Sequence, residues 1–254
     1  MKIGAQLYSL RDYCKTLEDF KETLKKVADM GYTSVQVSGT CAYEAEWLAE
    51  ALKETGLTCD LTHYNFGAVM ENPEKVVADH KTFGCKYIGL GAMPGGDKNT
   101  LDTINDFIAK TAPITKRIAE AGGYFMYHNH AFEFVDVDGK LFIERLVDGF
   151  DASEFGFTLD THWVKVGGYD PVEWLNKLAG RTPCVHFKDL VTMENGEKRF
   201  APVGSGELDF DAIIDTCLKN KVEFAFVEQD NCYGEDPFKC LKSSYDYLAS
   251  KGLK

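Results

Sequence analysis

Two histidines stand two residues apart at the end of a β-rich apolar run, Tyr124-Phe125-Met126-Tyr127-His128-Asn129-His130, and Glu133 follows three residues later. In an extended strand, residues i and i+2 face the same side, so His128 and His130 could address one target. Other apolar runs end in the same manner. One closes on Asp60-Leu61-Thr62-His63, another on Leu159-Asp160-Thr161-His162-Trp163, a third on Val185-His186-Phe187-Lys188, and a fourth on Phe226-Val227-Glu228-Gln229-Asp230. Five of the six histidines therefore sit at the C-terminal ends of expected strands; His80 falls in a helical stretch and reads as an ordinary histidine.

Imidazoles and carboxylates converging without thiolates describe a site for one borderline or hard divalent ion such as Mn²⁺, Mg²⁺, Co²⁺ or Zn²⁺. Asp160, His186 and Glu228 are the leading ligands, since each directly follows an apolar run. Lys188 shares a strand face with His186 and could bind an oxyanion or a phosphate. Trp163 offers an apolar wall for a sugar ring, and His63, His130 and His162 are further groups able to contact a substrate. Arg199 precedes Gly204-Ser205-Gly206, which reads as a flexible loop over the same mouth, and could reach inward. A lone GxG of this kind is no evidence for a nucleotide site.

A shared site for all these strand ends requires a fold that gathers them. The chain alternates short β-rich runs with longer amphipathic ones, eight times, without a linker or a low-complexity segment. In the first helical stretch Leu17, Phe20, Leu24 and Val27 recur at helical spacing, and Gly31 follows where a C-terminal cap belongs. Pro73 opens a later helix, and Pro113 predicts a kink or break within the long stretch from Asn99 to Ala121. Strands alternating with helices imply parallel pairing with right-handed crossovers. Eight units in 254 residues predict one α/β domain over residues 1–254, a (β/α)8 TIM barrel whose site lies at the C-terminal ends of the strands. The alternative, an open doubly wound sheet, would carry a glycine-rich phosphate turn after the first strand; Ser9-Leu10-Arg11-Asp12 is no such turn.

Composition narrows the partners. With 28 basic against 40 acidic residues the formal charge is -12, which argues against nucleic acid or an anionic membrane surface. No apolar run approaches the ~20 residues of a membrane span, and Met1 to Gln6 lacks the apolar region of a secretory signal. The eight cysteines form no CxxC pair, so free thiols in a reducing cytoplasm are expected.

Taken together, Gly4-Ala5-Gln6-Leu7-Tyr8-Ser9-Leu10-Arg11-Asp12, Tyr127-His128-Asn129-His130, Leu159-Asp160-Thr161, Val185-His186-Phe187-Lys188-Asp189, Pro202-Val203-Gly204-Ser205-Gly206-Glu207 and Val227-Glu228-Gln229-Asp230 resemble the xylose-isomerase-like sugar phosphate isomerase/epimerase family. The histidine form looks most like the branch containing inosose dehydratases and keto-sugar enzymes. The resemblance implies a barrel with one divalent metal held by Glu, Asp, His and Glu. Asp160, His186 and Glu228 match the last three positions. His128 stands at the first, so either His128 completes the set or Glu133 fills in from farther along.

The implied activity is a sugar isomerase or epimerase that removes a proton α to a carbonyl and passes through an enediolate, with Glu228, His128 and Glu133 as candidate proton carriers. A dehydratase or lyase acting on a keto-sugar or keto-inositol is the alternative. The implied partners are a small carbohydrate and a second copy of the chain. Two other readings are an endonuclease IV-like repair enzyme and a non-catalytic sugar-binding barrel. The first conflicts with the negative charge and with Trp163, which stands where that pattern would supply another histidine.

Overall fold

Runs of β-branched and aromatic residues, separated by amphipathic stretches long enough to cross back over a sheet, fold as consecutive strands of one closed parallel barrel. The computed structural model describes residues 1–254. The barrel strands are β1 (Lys2–Gln6), β2 (Ser34–Val37), β3 (Thr58–His63), β4 (Tyr87–Leu90), β5 (Tyr124–His128), β6 (Phe155–Asp160) and β7 (Cys184–Phe187). A hairpin of β8 (Asp189–Thr192) and β9 (Lys198–Ala201) then projects, and β10 (Phe224–Val227) completes the ring. Strand β1 pairs in parallel with both β2 and β10, so no edge is left open. The fold is therefore the closed (β/α)8 barrel and not the open sheet.

The outer layer is built from α1 (Leu17–Asp29), α2 (Ala45–Thr55), α3 (Phe66–Glu71), α4 (Pro73–Thr82), α5 (Leu101–Glu120), α6 (Phe142–Gly149), α7 (Thr161–Val166), α8 (Pro171–Lys177), α9 (Phe210–Lys219) and α10 (Pro237–Ser250). Their starts are chemically marked. Thr16, Asn72 and Asp209 each accept a hydrogen bond from a backbone N–H in the first turn of the helix they precede. Helix α5 runs through Pro113 without the expected interruption. Its buried face, with Ile104, Phe107, Thr111, Thr115 and Ile118, continues on both sides of the proline, so packing holds the helix despite a cost of about 3 kcal/mol for an interior proline. His80, on α4, is a core residue: its ring contacts Val76 O and Thr62 Oγ1, both at 2.8 Å, and burial lowers its pKa to about 4. No helix is long and apolar enough to cross a membrane, and all eight cysteines are free.

Most of the apolar core lies between the barrel and the helices. A second cluster fills the barrel itself: Leu61, Tyr87, Met126, Cys184 and Phe226. Because the pleat has period two, the next inward positions are His63, Gly89, His128, His186 and Glu228. The apolar plug thus carries a polar layer one step above it, at the C-terminal mouth. Gly89 is the exception in that layer because space is short. A Cβ there would lie 2.2 Å from Thr62 O and 3.1 Å from the His63 ring.

Gly89→Ala is accordingly expected to destabilise the protein by about 1–3 kcal/mol, the usual range for overpacking, seen as a lower denaturation midpoint. An unchanged midpoint would contradict this close approach.

Candidate active site

Strand register brings the candidate ligands to one level. Asp160 pairs with His186 across β6 and β7, while Phe226 of β10 pairs with His186 from the other side and places Glu228 one pleat higher. His128, the last residue of β5, pairs with Thr158. His128 Nε2 lies 3.0 Å from Asp160 Oδ2, and His186 Nδ1 lies 3.7 Å from that oxygen and 2.9 Å from Glu228 Oε2. One atom from each of the four residues falls within 4.8 Å of all the others. All four residues are at most 4% exposed.

The groups behind these atoms decide where their lone pairs go. His128 Nδ1 faces Gly91 O at 2.9 Å, and His186 Nε2 faces Gln36 Oε1 at 2.6 Å. A ring nitrogen facing a carbonyl oxygen carries the proton, so His128 Nε2 and His186 Nδ1 turn their lone pairs inward. Asp160 Oδ1 accepts from Trp163 N at 3.0 Å, which leaves Oδ2 for the interior. His186 Nδ1 is buried without a donor, and Glu228 Oε2 lies 2.9 Å from it. Two imidazole nitrogens and two carboxylate oxygens, with His186 Nδ1 receiving no donor, fit a divalent cation, whose ligand distances of about 2.0–2.2 Å match such spacing.

Lys188 supplies a fixed cation at the same place. Its Nζ lies 2.8 Å from Glu228 Oε2, 3.1 Å from Asp160 Oδ2 and 3.1 Å from Asp230. Burial disfavours its charge, but the three carboxylates outweigh burial and raise its pKa. Burial also works against ionisation of Asp160 and Glu228, yet the Lys188 charge holds both well below the usual carboxylate range.

A cavity of about 360 Å³ opens above this layer and is lined by Tyr8, Arg11, Ser38, His63, His130 and Asp230 together with His128, Lys188 and Glu228. His63 is oriented by Ser38 Oγ, 3.2 Å from its Nδ1, and its Nε2 has no partner. Burial, then His128, lowers the pKa of both His63 and His130, the latter to about 3. Both are uncharged imidazoles at neutral pH. The His130 ring stacks on Phe132 with centroids 5.5 Å apart.

Several expected site residues lie elsewhere. Glu133 is fully buried, with its carboxylate accepting from Tyr127 OH and His130 N, both at 2.7 Å. The chain leaves β5 at His128 and coils into a 3₁₀ turn over Ala131–Phe134, which folds Glu133 back under His130. It neither joins the ligand set nor faces the cavity. His162 is turned away because α7 starts directly after β6. Its ring stacks on Phe200 at 4.2 Å, and its Nδ1 faces Asp189 O at 3.4 Å. Trp163 stands behind His130 at 5.5 Å and does not line the cavity. Arg199 lies on the exposed hairpin, paired with Glu197 at 2.9 Å, and does not reach in.

The Gly204-Ser205-Gly206 loop is no flexible cover. Asp189 accepts from the N–H groups of Gly204, Gly206 and Leu208 and pins it. Gln36, Ser38, Tyr8 and Arg11 escaped the reading of strand ends. The sequence signal for Gln36 is its place as a lone polar residue between Val35 and Val37, and that for Asp230 is its two-residue spacing from Glu228.

Known proteins can now be set beside this geometry. Residues 24–228 match a family model described as xylose isomerase-like TIM barrel. An inosose dehydratase of Geobacillus kaustophilus is 25% identical, over 89% of this chain and 85% of its own. Among solved structures, a sugar phosphate isomerase/epimerase from Parabacteroides distasonis has a TM-score of 0.84 at 22% identity, covering 100% of this chain and 95% of that one. A second from the same organism has a TM-score of 0.80 at 25% identity, with 98% and 97% covered.

The Glu133 environment sets a pH dependence of stability. Burial raises its pKa from 4.5 to about 8 against the two hydrogen bonds that favour its charge. A carboxyl with a raised folded-state pKa binds more protons folded than unfolded, so its contribution favours the fold most below the unfolded value and declines as pH rises toward the folded one. Melting temperature is expected to fall between about pH 5 and 8, and Glu133→Gln to flatten that slope. An identical slope in the variant would refute the assignment.

Proposed function

The chain belongs to the xylose isomerase-like TIM barrel family, and we propose that it is a divalent-metal-dependent enzyme that removes the proton α to the carbonyl of a keto-sugar or keto-inositol and then expels a β-hydroxyl as water. The observation that carries this reading is the buried His128–Asp160–His186–Glu228 cluster, whose unpartnered atoms converge beneath a cavity lined by uncharged imidazoles. These four residues would hold Mn²⁺, Mg²⁺, Co²⁺ or Zn²⁺. When bound, such an ion polarises the carbonyl and makes the α-proton acidic near neutral pH.

The chain's own groups do the rest. Lys188, fixed by Asp160, Glu228 and Asp230, presents a preorganised positive charge to the oxygen on which negative charge develops. A base lining the cavity takes the α-proton, and the electron pair of the broken C–H bond forms the enediolate. As the carbonyl re-forms, the β-carbon–oxygen bond breaks, and the same base returns its proton to the departing hydroxyl, giving water. One base suffices for this sequence. His63, held by Ser38, fixes a substrate hydroxyl.

The similarity to an inosose dehydratase supports elimination. A second reading, isomerisation or epimerisation through the same enediolate, is supported by the Parabacteroides distasonis relative at 25% identity and by His63 as a second proton carrier.

The protein loaded with Mn²⁺ and incubated in D₂O with a keto-inositol and a panel of ketoses is expected to release water from at least one of them. Deuterium incorporation without water loss would select the second reading, and no exchange with any compound would overturn both. Bound metal can be followed separately by elemental analysis after dialysis. Asp160→Asn and Glu228→Gln should lose it. Gln36→Leu, which removes only the group behind His186, should weaken affinity by about 10- to 100-fold. Full retention in all three variants would exclude this cluster as the metal site.

A further inference from the structure

Beside the catalytic cavity lies a second, of about 230 Å³, formed by the 3₁₀ turn after β1 and the loop after β10. Arg11 and Asp230 line both cavities, so the two adjoin at these residues. Arg11 is held in place there by hydrogen bonds. Arg11 donates to Tyr8 O at 2.8 Å and to Asp230 O at 3.0 Å, and its guanidinium lies 4.4 Å from the Tyr8 ring centre.

Three of the chain's exposed large side chains gather here: Tyr8 at 38%, Tyr13 at 44% and Tyr233 at 43%. Tyr13 and Tyr233 line the outer cavity, and Tyr8 the inner one. Tyr233 is held at φ 51°, a left-handed conformation that a bulky side chain rarely adopts. Asn231 Oδ1 accepts from its backbone N–H at 2.7 Å, and its own hydroxyl accepts from Phe200 N at 3.2 Å. The Tyr13 ring is set edge-on to Phe238 at 4.9 Å. These rings are exposed but not free to reorient.

Arg11 is the only cation lining the outer cavity, against Asp12, Asp230 and Glu235. That balance disfavours a phosphate. Planar hydrogen-bonding groups together with aromatic faces suit a neutral polyhydroxylated ring, whose hydroxyls need partners and whose C–H faces need apolar cover.

We propose that the outer cavity is a subsite for a second sugar unit, so that the substrate is a glycoside of at least disaccharide size whose reacting ring occupies the inner cavity. This rests on the proposed carbohydrate chemistry of the inner cavity for the identity of the substrate, but its test reads binding alone. The metal-loaded protein is titrated calorimetrically with cellobiose, maltose, lactose and sucrose, with their component monosaccharides, and with glucose 6-phosphate. At least one disaccharide should bind tenfold or more tightly than either of its monosaccharides. Tyr233→Asn, which suits the left-handed backbone, and Tyr13→Ala should each erase that margin and leave monosaccharide affinity unchanged. The subsite is overturned if no disaccharide exceeds its components, if the phosphate binds most tightly, or if both variants keep the margin. A margin found without exchange on any keto-sugar would sustain the subsite and sink the proposed reaction; exchange without a margin would do the reverse.

Discussion

Asp160 and Glu228 are two buried carboxylates brought together at the C-terminal mouth of the barrel. Unpaired charges there would cost several kcal/mol each. The surroundings are therefore organised to receive positive charge: Lys188 bridges both, His186 stands between them, and His128 abuts Asp160. The groups one shell out follow from the same need. Gln36 and Gly91 set the tautomers of the two imidazoles, Asp230 anchors Lys188, and Asn129 Oδ1 accepts from the Asp160 backbone N–H at 3.0 Å.

The pleat makes this concentration of charge compatible with a stable fold. Residues that plug the barrel and residues of the polar layer alternate along the same strands. Cys184 precedes His186, Met126 precedes His128, and Phe226 precedes Glu228, each by two positions. Hydrophobic burial beneath the polar layer is supplied by the strands that carry it, so His128, Asp160, His186 and Glu228 are held within a strand or directly after one.

The same periodicity explains how far the amino-acid sequence could be read. A side chain at the end of a strand is aimed by the strand, so Asp160, His186, Glu228, Lys188, His128 and His63 could be placed from local pattern alone. Beyond the strand end that rule lapses. Glu133 and His162 looked equivalent to the others by proximity, but a 3₁₀ turn and the immediate start of α7 redirect them. Arg199 was misplaced because Asp189 to Ala201 forms a hairpin whose polar residues gave no clear alternation. Gln36 and Arg11 could not be singled out because their partners, His186 and Asp230, lie 150 and 219 residues away along the chain. Contacts of that range belong to the closure of the barrel and leave no local trace.

The plug of Leu61, Tyr87, Met126, Cys184 and Phe226 also makes the interior a well with one mouth. A species seated on its floor can neither enter nor leave past one seated above it. Occupancy is therefore ordered: whatever binds deepest arrives first and departs last. Any molecule held over the His128–Asp160–His186–Glu228 layer acts as a stopper for everything beneath it.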